Sequence, residues 1–120
     1  MGETTVVADL VGLDLEEDES EIYDRPIGLR LLHADDRTGA VHYLIRYPEG
    51  LQALRHTHTA AHTIVVIQGA LSVDGRVVPA GSYVHFPAGV PMHHAPAPGT
   101  DCLFVIAFDG PLDVTPVDGS

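Results

Sequence analysis

From Ile27 onward the chain alternates short apolar stretches with turn residues at nearly regular intervals. Ala40–Tyr47 shows the pattern best: Val41, Tyr43, Ile45 and Tyr47 fall on one face, and His42, Leu44 and Arg46 on the other. Successive side chains of a strand point to opposite faces, so this period of two predicts a strand. Ile27–Ala34 precedes it and ends at the polar loop Asp35-Asp36-Arg37-Thr38-Gly39. His62–Gln68, Ala70–Val73 and Arg76–Val78 follow as further strands. The last two are joined by Asp74-Gly75, a dipeptide suited to a tight hairpin. Turns at Pro79-Ala80-Gly81 and Pro87-Ala88-Gly89-Val90-Pro91 bracket a strand over Ser82–Phe86, and Cys102–Phe108 is the most continuously apolar piece. No stretch carries a convincing helical period. Short strands divided by glycine and proline turns predict an all-β sandwich or barrel.

The chain of 120 residues is sized for one domain with its own core. Its texture divides into an acidic N-terminal arm over 1–26, a β-barrel over 27–108 and a polar tail over 109–120 that wraps or frays. Nine of the seventeen acidic residues lie within residues 1–24, which hold no arginine. The run Leu13–Glu21 is therefore expected to be solvated, with the short apolar piece Val6, Val7, Leu10 and Val11 before it available as an edge strand.

Charge narrows the partners. Six basic against seventeen acidic residues give a net charge of -11, which disfavours nucleic acid and anionic membranes. All six basic residues are arginines, so Schiff-base lysine chemistry and a phosphate-loop lysine are excluded. Cys102 is the only cysteine, which rules out an intrachain disulfide and zinc-finger chemistry. No charged leader precedes an apolar run, and no run approaches membrane-spanning length, so a cytoplasmic protein is expected.

The candidate chemistry sits in His56-Thr-His58-Thr-Ala-Ala-His62. Residues i and i+2 of a strand share a face, and His62 is in phase with His56 and His58 if the parity holds between them. Neutral imidazoles converging on one point suit one divalent transition metal, whether Fe, Zn, Mn, Ni or Cu. Ile64 and Val66 are in phase with His62, so the surroundings should be apolar; Val65 and Ile67 face away. No Gly-x-Ser-x-Gly, reactive cysteine setting or paired carboxylates compete as a catalytic set.

The spacing Gly50, His56, His58, His62, Gly69 resembles the first motif of the cupin superfamily, with His62 where glutamate is usual. Gly81, Pro87 and Gly89 are similar to the second motif, whose histidine position is taken here by Met92. His93 and His94 are both candidates for the displaced ligand. The segment His94-Ala95-Pro96 before Cys102-Leu103 resembles the small cupins more closely, which favours His94. The resemblance covers Ile27–Phe108 and points to zinc-binding anti-sigma-factor cupins and diketone-cleaving dioxygenases. It implies a jelly-roll barrel, a metal held by His56, His58, His62 and His94, and a homodimer. It further implies a dioxygenase acting on a small enolisable or anionic carbonyl compound, with isomerase or lyase chemistry next and a non-catalytic sensor as the alternative. Sensor cupins of that kind carry a separate helical domain, for which these residues show no pattern. His85 is expected to pack or hydrogen-bond at a strand end. His33 and His42 are expected not to be ligands; His42 with Arg46 on one face is open to contact with an anionic substrate or to surface ion pairing, and Cys102 is expected in the core.

Overall fold

The computed structural model describes residues 3–117, and among these every regular element is a strand. In chain order they are β1 (Glu16–Asp18), β2 (Ile27–Ala34), β3 (Val41–Tyr47), β4 (His56–Thr57), β5 (His62–Val73), β6 (Arg76–Pro79), β7 (Tyr83–Phe86), β8 (His94–Pro96), β9 (Cys102–Phe108) and β10 (Thr115–Pro116). The expected all-β architecture is observed, and among the described residues no helix is long and apolar enough to cross a membrane.

The larger sheet runs β1-β2-β3-β9-β5-β6, and β7 and β8 also pair with β5. Strand β5 organises the closure. Its first residues lie between β9 and β7, with His62 opposite both Phe108 and Phe86. Its last residues lie between β6 and β8, with Leu71 opposite both Val78 and Pro96. The register against β9 shifts between Val66 and Gln68, a bulge that bends β5 from one set of neighbours to the other. Alternation then turns Ile64, Val66 and Leu71 inward against Ile45, Tyr47, Phe104 and Ile106, all buried. At the hairpin, Asp74 and Gly75 have φ of 48° and 85°, the pair of positive values that a tight β-hairpin turn requires.

The arm departs from expectation in which part of it forms the edge strand. The acidic run supplies β1, with Glu17 opposite Gly28, whereas Val6 and Val11 are 78% and 50% exposed. The reason lies in Gly28: without a side chain it leaves room for Leu15, whose Cδ1 lies 3.0 Å from where a Cβ would stand. The acidic side chains of β1 remain solvated, as expected. Past β1 the chain turns inward and buries Ile22. The tail wraps: β10 pairs with β4, and the Val117 amide donates to the Arg55 carbonyl at 3.0 Å. The ends of arm and tail, residues 1, 2 and 118–120, lie outside the described residues.

Gly69 is the position where glycine is indispensable. Its φ is +73°, and a Cβ there would stand 2.0 Å from the backbone carbonyl oxygen of Asp101, the residue just before the strand that pairs with it. Gly75 has φ +85° but open space around it. Gly69→Ala should therefore cost about 3 kcal/mol or more in urea unfolding, and Gly75→Ala only about 1 kcal/mol. Equal losses in the two variants would refute the close-approach argument.

Candidate metal centre

His56 lies on β4, His58 in the loop after it, His62 opens β5 and His94 opens β8. All four are buried, at 0%, 6%, 1% and 2% exposure. One ligand atom from each of His56, His58 and His94 lies within 4.8 Å of the others, a spacing that one metal ion can bridge. Met92 explains why His94 joins them and not His93. The amide and carbonyl of Met92 bond those of His56 at 2.9 and 3.0 Å, and its side chain enters the core. Two residues on, His94 keeps that parity and turns inward as well. His93 lies between them on the other face, beside Arg55, Asp74 and Gly75.

Each of these three histidines is held by its Nδ1. The Nδ1 of His56 donates to the Leu54 carbonyl at 2.8 Å, and that of His58 donates to the Asp113 carbonyl. A carbonyl only accepts, so both partners fix the proton on Nδ1 and leave the Nε2 lone pair free. The Nδ1 of His94 meets the Tyr47 hydroxyl at 2.7 Å, and Tyr47 in turn meets the Tyr23 hydroxyl at 2.6 Å. The Nε2 atoms of His56 and His94 are buried with no hydrogen-bond partner. Leaving such atoms unpaired costs about 1–3 kcal/mol each, a cost that a bound metal removes.

His62 stands apart from the trio. Its ring stacks between Phe86 and Phe108, at centroid distances of 4.6 and 4.9 Å, and lies 4.7 Å from the His58 ring. Both of its nitrogens are buried; the Ala60 carbonyl acts on the ring, but not in hydrogen-bonding geometry.

Beside the histidines lies an apolar chamber of about 280 Å³. Ile27, Leu29, Tyr43, Ile45, Ile106 and Phe108 form its barrel wall, and His58 and His94 lie at its edge. The arm closes one side with Ile22 and Tyr23, and the tail another with Leu112 and Val114. A wider cleft over Glu19–Pro26 contains no histidine and opens to solvent.

The remaining candidates lie elsewhere. His85 bonds Thr63 Oγ1 at 2.9 Å on the exposed side of β7, as its strand-end position suggested. His33 and His42 face each other across β2 and β3, with rings 5.3 Å apart. Arg46 pairs with Asp101 at 2.6 Å, which is the ion-pairing role of the two that the sequence left open. Cys102 is a buried core thiol, and burial pushes its pKa up to about 12. Sequence reasoning missed Tyr23, Tyr47 and Asp113 as supports of the site. For Tyr47 the alternation of β3 was the usable signal. Asp113 holds His58 through its backbone carbonyl, which no residue type announces; its carboxylate separately accepts from the Thr59 amide and hydroxyl at 2.8 and 2.5 Å.

Burial is the main force lowering the pKa of His56, His58, His62 and His94, and it takes His62 to about 3. Their mutual repulsion when protonated adds to this for His56, His62 and His94. Unfolded histidines bind protons below about pH 6.5. The folded ones refuse them until lower pH, so acid favours the unfolded chain. Metal-free protein should therefore lose stability as pH falls from about 6.5 toward 3, by at most about 1.4 kcal/mol per pH unit for each histidine. Urea midpoints that coincide at pH 7.5 and 5.5 would contradict this.

The ChrR cupin-like domain family model matches residues 18–112. No curated protein sequence matches the chain. The fold is similar to a cupin-like protein from Thermotoga maritima (TM-score 0.77, 18% identity, 90% of each chain covered). It is similar to an acetylacetone dioxygenase from Acinetobacter johnsonii (TM-score 0.76, 18% identity, 100% of this chain and 86% of that one). It is also similar to a chain in the complex of Rhodobacter sphaeroides SigE with the anti-sigma ChrR (TM-score 0.67, 19% identity), covering 85% of this chain and 52% of that one. At such identities these likenesses establish the fold, and the family match spans most of the sequence: the chain belongs to the ChrR cupin-like domain family within the cupins.

Proposed function

We propose that this chain is a metal-dependent cupin enzyme, a dioxygenase for a small enolisable or anionic carbonyl compound. One observation carries the reading: buried imidazole nitrogens with no protein partner converge at the edge of an apolar chamber with room for a ligand. His56, His58 and His94 hold one divalent transition metal through their free nitrogens; His62, outside that trio but beside His58 with both nitrogens unpartnered, is the fourth ligand of the proposal. When bound, the metal supplies a Lewis acid for an anionic oxygen and, if redox-active, a means of engaging dioxygen. The protein's own part is to orient and to exclude water. The carbonyls of Leu54 and Asp113 fix two imidazole tautomers. Phe86 and Phe108 hold His62 in place, and the apolar wall strengthens any charge within it. Among the described residues the ligand cluster includes no carboxylate, so the metal charge is left to attract an anionic oxygen.

A second reading is favoured by the family match and by the likeness to the SigE–ChrR complex: a metal-filled module that senses or binds without turnover, through a protein partner. The chamber favours the enzyme, since a filled structural site needs no ligand space beside it. Protein purified without added metal should contain about one divalent transition metal per chain and consume dioxygen with a panel of β-diketones. His58→Ala should lose both. Metal without oxygen uptake on any diketone would favour the sensor, and full metal retention in His58→Ala would remove the ligand assignment.

Assembly as a homodimer belongs to the same proposal. Leu44, Val105, Val65 and Tyr83 line up across β3, β9, β5 and β7 on the outer face, opposite the ligands. Leu44 is covered within the chain, but Val65 and Tyr83 are 38% and 69% exposed. A second copy covers this row. Sedimentation at micromolar concentration should give twice the 12.8 kDa chain mass, and Tyr83→Glu should shift the protein toward monomer. A monomer mass for the parent would refute the dimer.

A further inference from the structure

The chain of hydroxyls behind His94 has a direction, and that direction reaches the chamber. If the Nε2 of His94 binds a metal, as the proposed function holds, its one remaining proton must sit on Nδ1. Nδ1 then donates to the Tyr47 oxygen at 2.7 Å. The Tyr47 proton is left to donate to the Tyr23 oxygen at 2.6 Å. Tyr23 is thereby cast as acceptor toward Tyr47, and its own O–H has no acceptor among the described residues. Asp18 acts on Tyr23 through its charge without a hydrogen bond between them. Tyr23 also lines the chamber beside the histidines.

The rest of the lining sets what such a donor can meet. Among the described residues no arginine lines the chamber, and the one charged residue there is Asp18. A second negative charge on a ligand would find no cation and would face that carboxylate. A volume of about 280 Å³ lies just below the usual range for drug-sized ligands, which excludes bulky ones.

We propose that Tyr23 is the specificity-determining donor of this site, and that the ligand is a small, largely apolar molecule with one metal-seeking oxygen group and no second charge. With a metal held by the histidines to attract the anionic oxygen, the Tyr23 hydroxyl would donate to an oxygen of the same ligand and the aliphatic wall would receive its body. Metal loading sets the order of protons, so the donor is presented only when the centre is filled.

The test uses zinc-loaded parent, Tyr23→Phe and Tyr47→Phe proteins, titrated calorimetrically with acetylacetone, butyrate and succinate. Phenylalanine at 23 keeps the edge-to-face ring contact with Tyr47, at 5.3 Å between centroids, and removes only the hydroxyl; a urea midpoint for each variant checks that the fold is retained. Tyr23→Phe should hold zinc within about threefold of the parent and bind acetylacetone and butyrate about five- to tenfold more weakly. Tyr47→Phe takes the partner from His94 itself and should weaken zinc by about 10- to 100-fold. Succinate should bind the parent more weakly than butyrate. Tyr23→Phe binding both probes as tightly as the parent overturns the proposal, as does succinate equalling butyrate. So does a zinc-loaded parent that binds none of the three. A parent that takes up no zinc overturns the metal reading itself and the proton order with it, and the zinc titration shows this before any probe is added.

Discussion

The site depends on keeping several imidazoles uncharged and pointed inward with their lone pairs unused. Burial alone would achieve the first and defeat the second, because a neutral imidazole in an apolar wall turns toward any polar group it can reach. The carbonyls of Leu54 and Asp113 and the hydroxyl of Tyr47 resolve this by occupying one nitrogen of each ring. The other nitrogen is left facing the cluster. His62 is positioned differently, by aromatic faces on both sides. Rotating it therefore costs packing and breaks no hydrogen bond.

Much of this was legible in the residues. The period of two through Val41–Tyr47 and the turn at Asp74-Gly75 gave the strands and their hairpin, and i, i+2 spacing put His56 and His58 together. His94 is favoured over His93 by the likeness of His94-Ala95-Pro96 to the small cupins; the physical ground is parity, fixed by Met92 pairing with His56 and entering the core. That pairing joins residues far apart in sequence, so local pattern cannot supply it. The edge strand was misplaced for a similar reason. Val6–Val11 has the better strand composition, but Gly28 offers room where Leu15 arrives, and packing outweighs propensity. The supports of the histidines were the least legible part, because two of them act through backbone oxygens.

The arm and the tail close the chamber that the barrel wall leaves open. The barrel wall is built of ordinary core residues, whereas Ile22, Tyr23, Leu112 and Val114 come from outside it and decide the shape above the histidines. Changes in these two segments alter what the chamber admits while the strands stay as they are. One fold can thus carry different ligands by varying its margins.

The bond from His58 to the carbonyl of Asp113 also has a consequence in time. A chain made from its N-terminus exposes His56, His58 and His62 early, while the other half of their setting is still to be synthesised. His94 arrives more than thirty residues after His62, and the oxygen that fixes His58 nearly twenty residues after that. Until then the early histidines lack the carbonyl and the neighbouring ring that orient them in the native structure. The geometry that fixes these rings is therefore a property of the finished fold and not of the histidine segment alone.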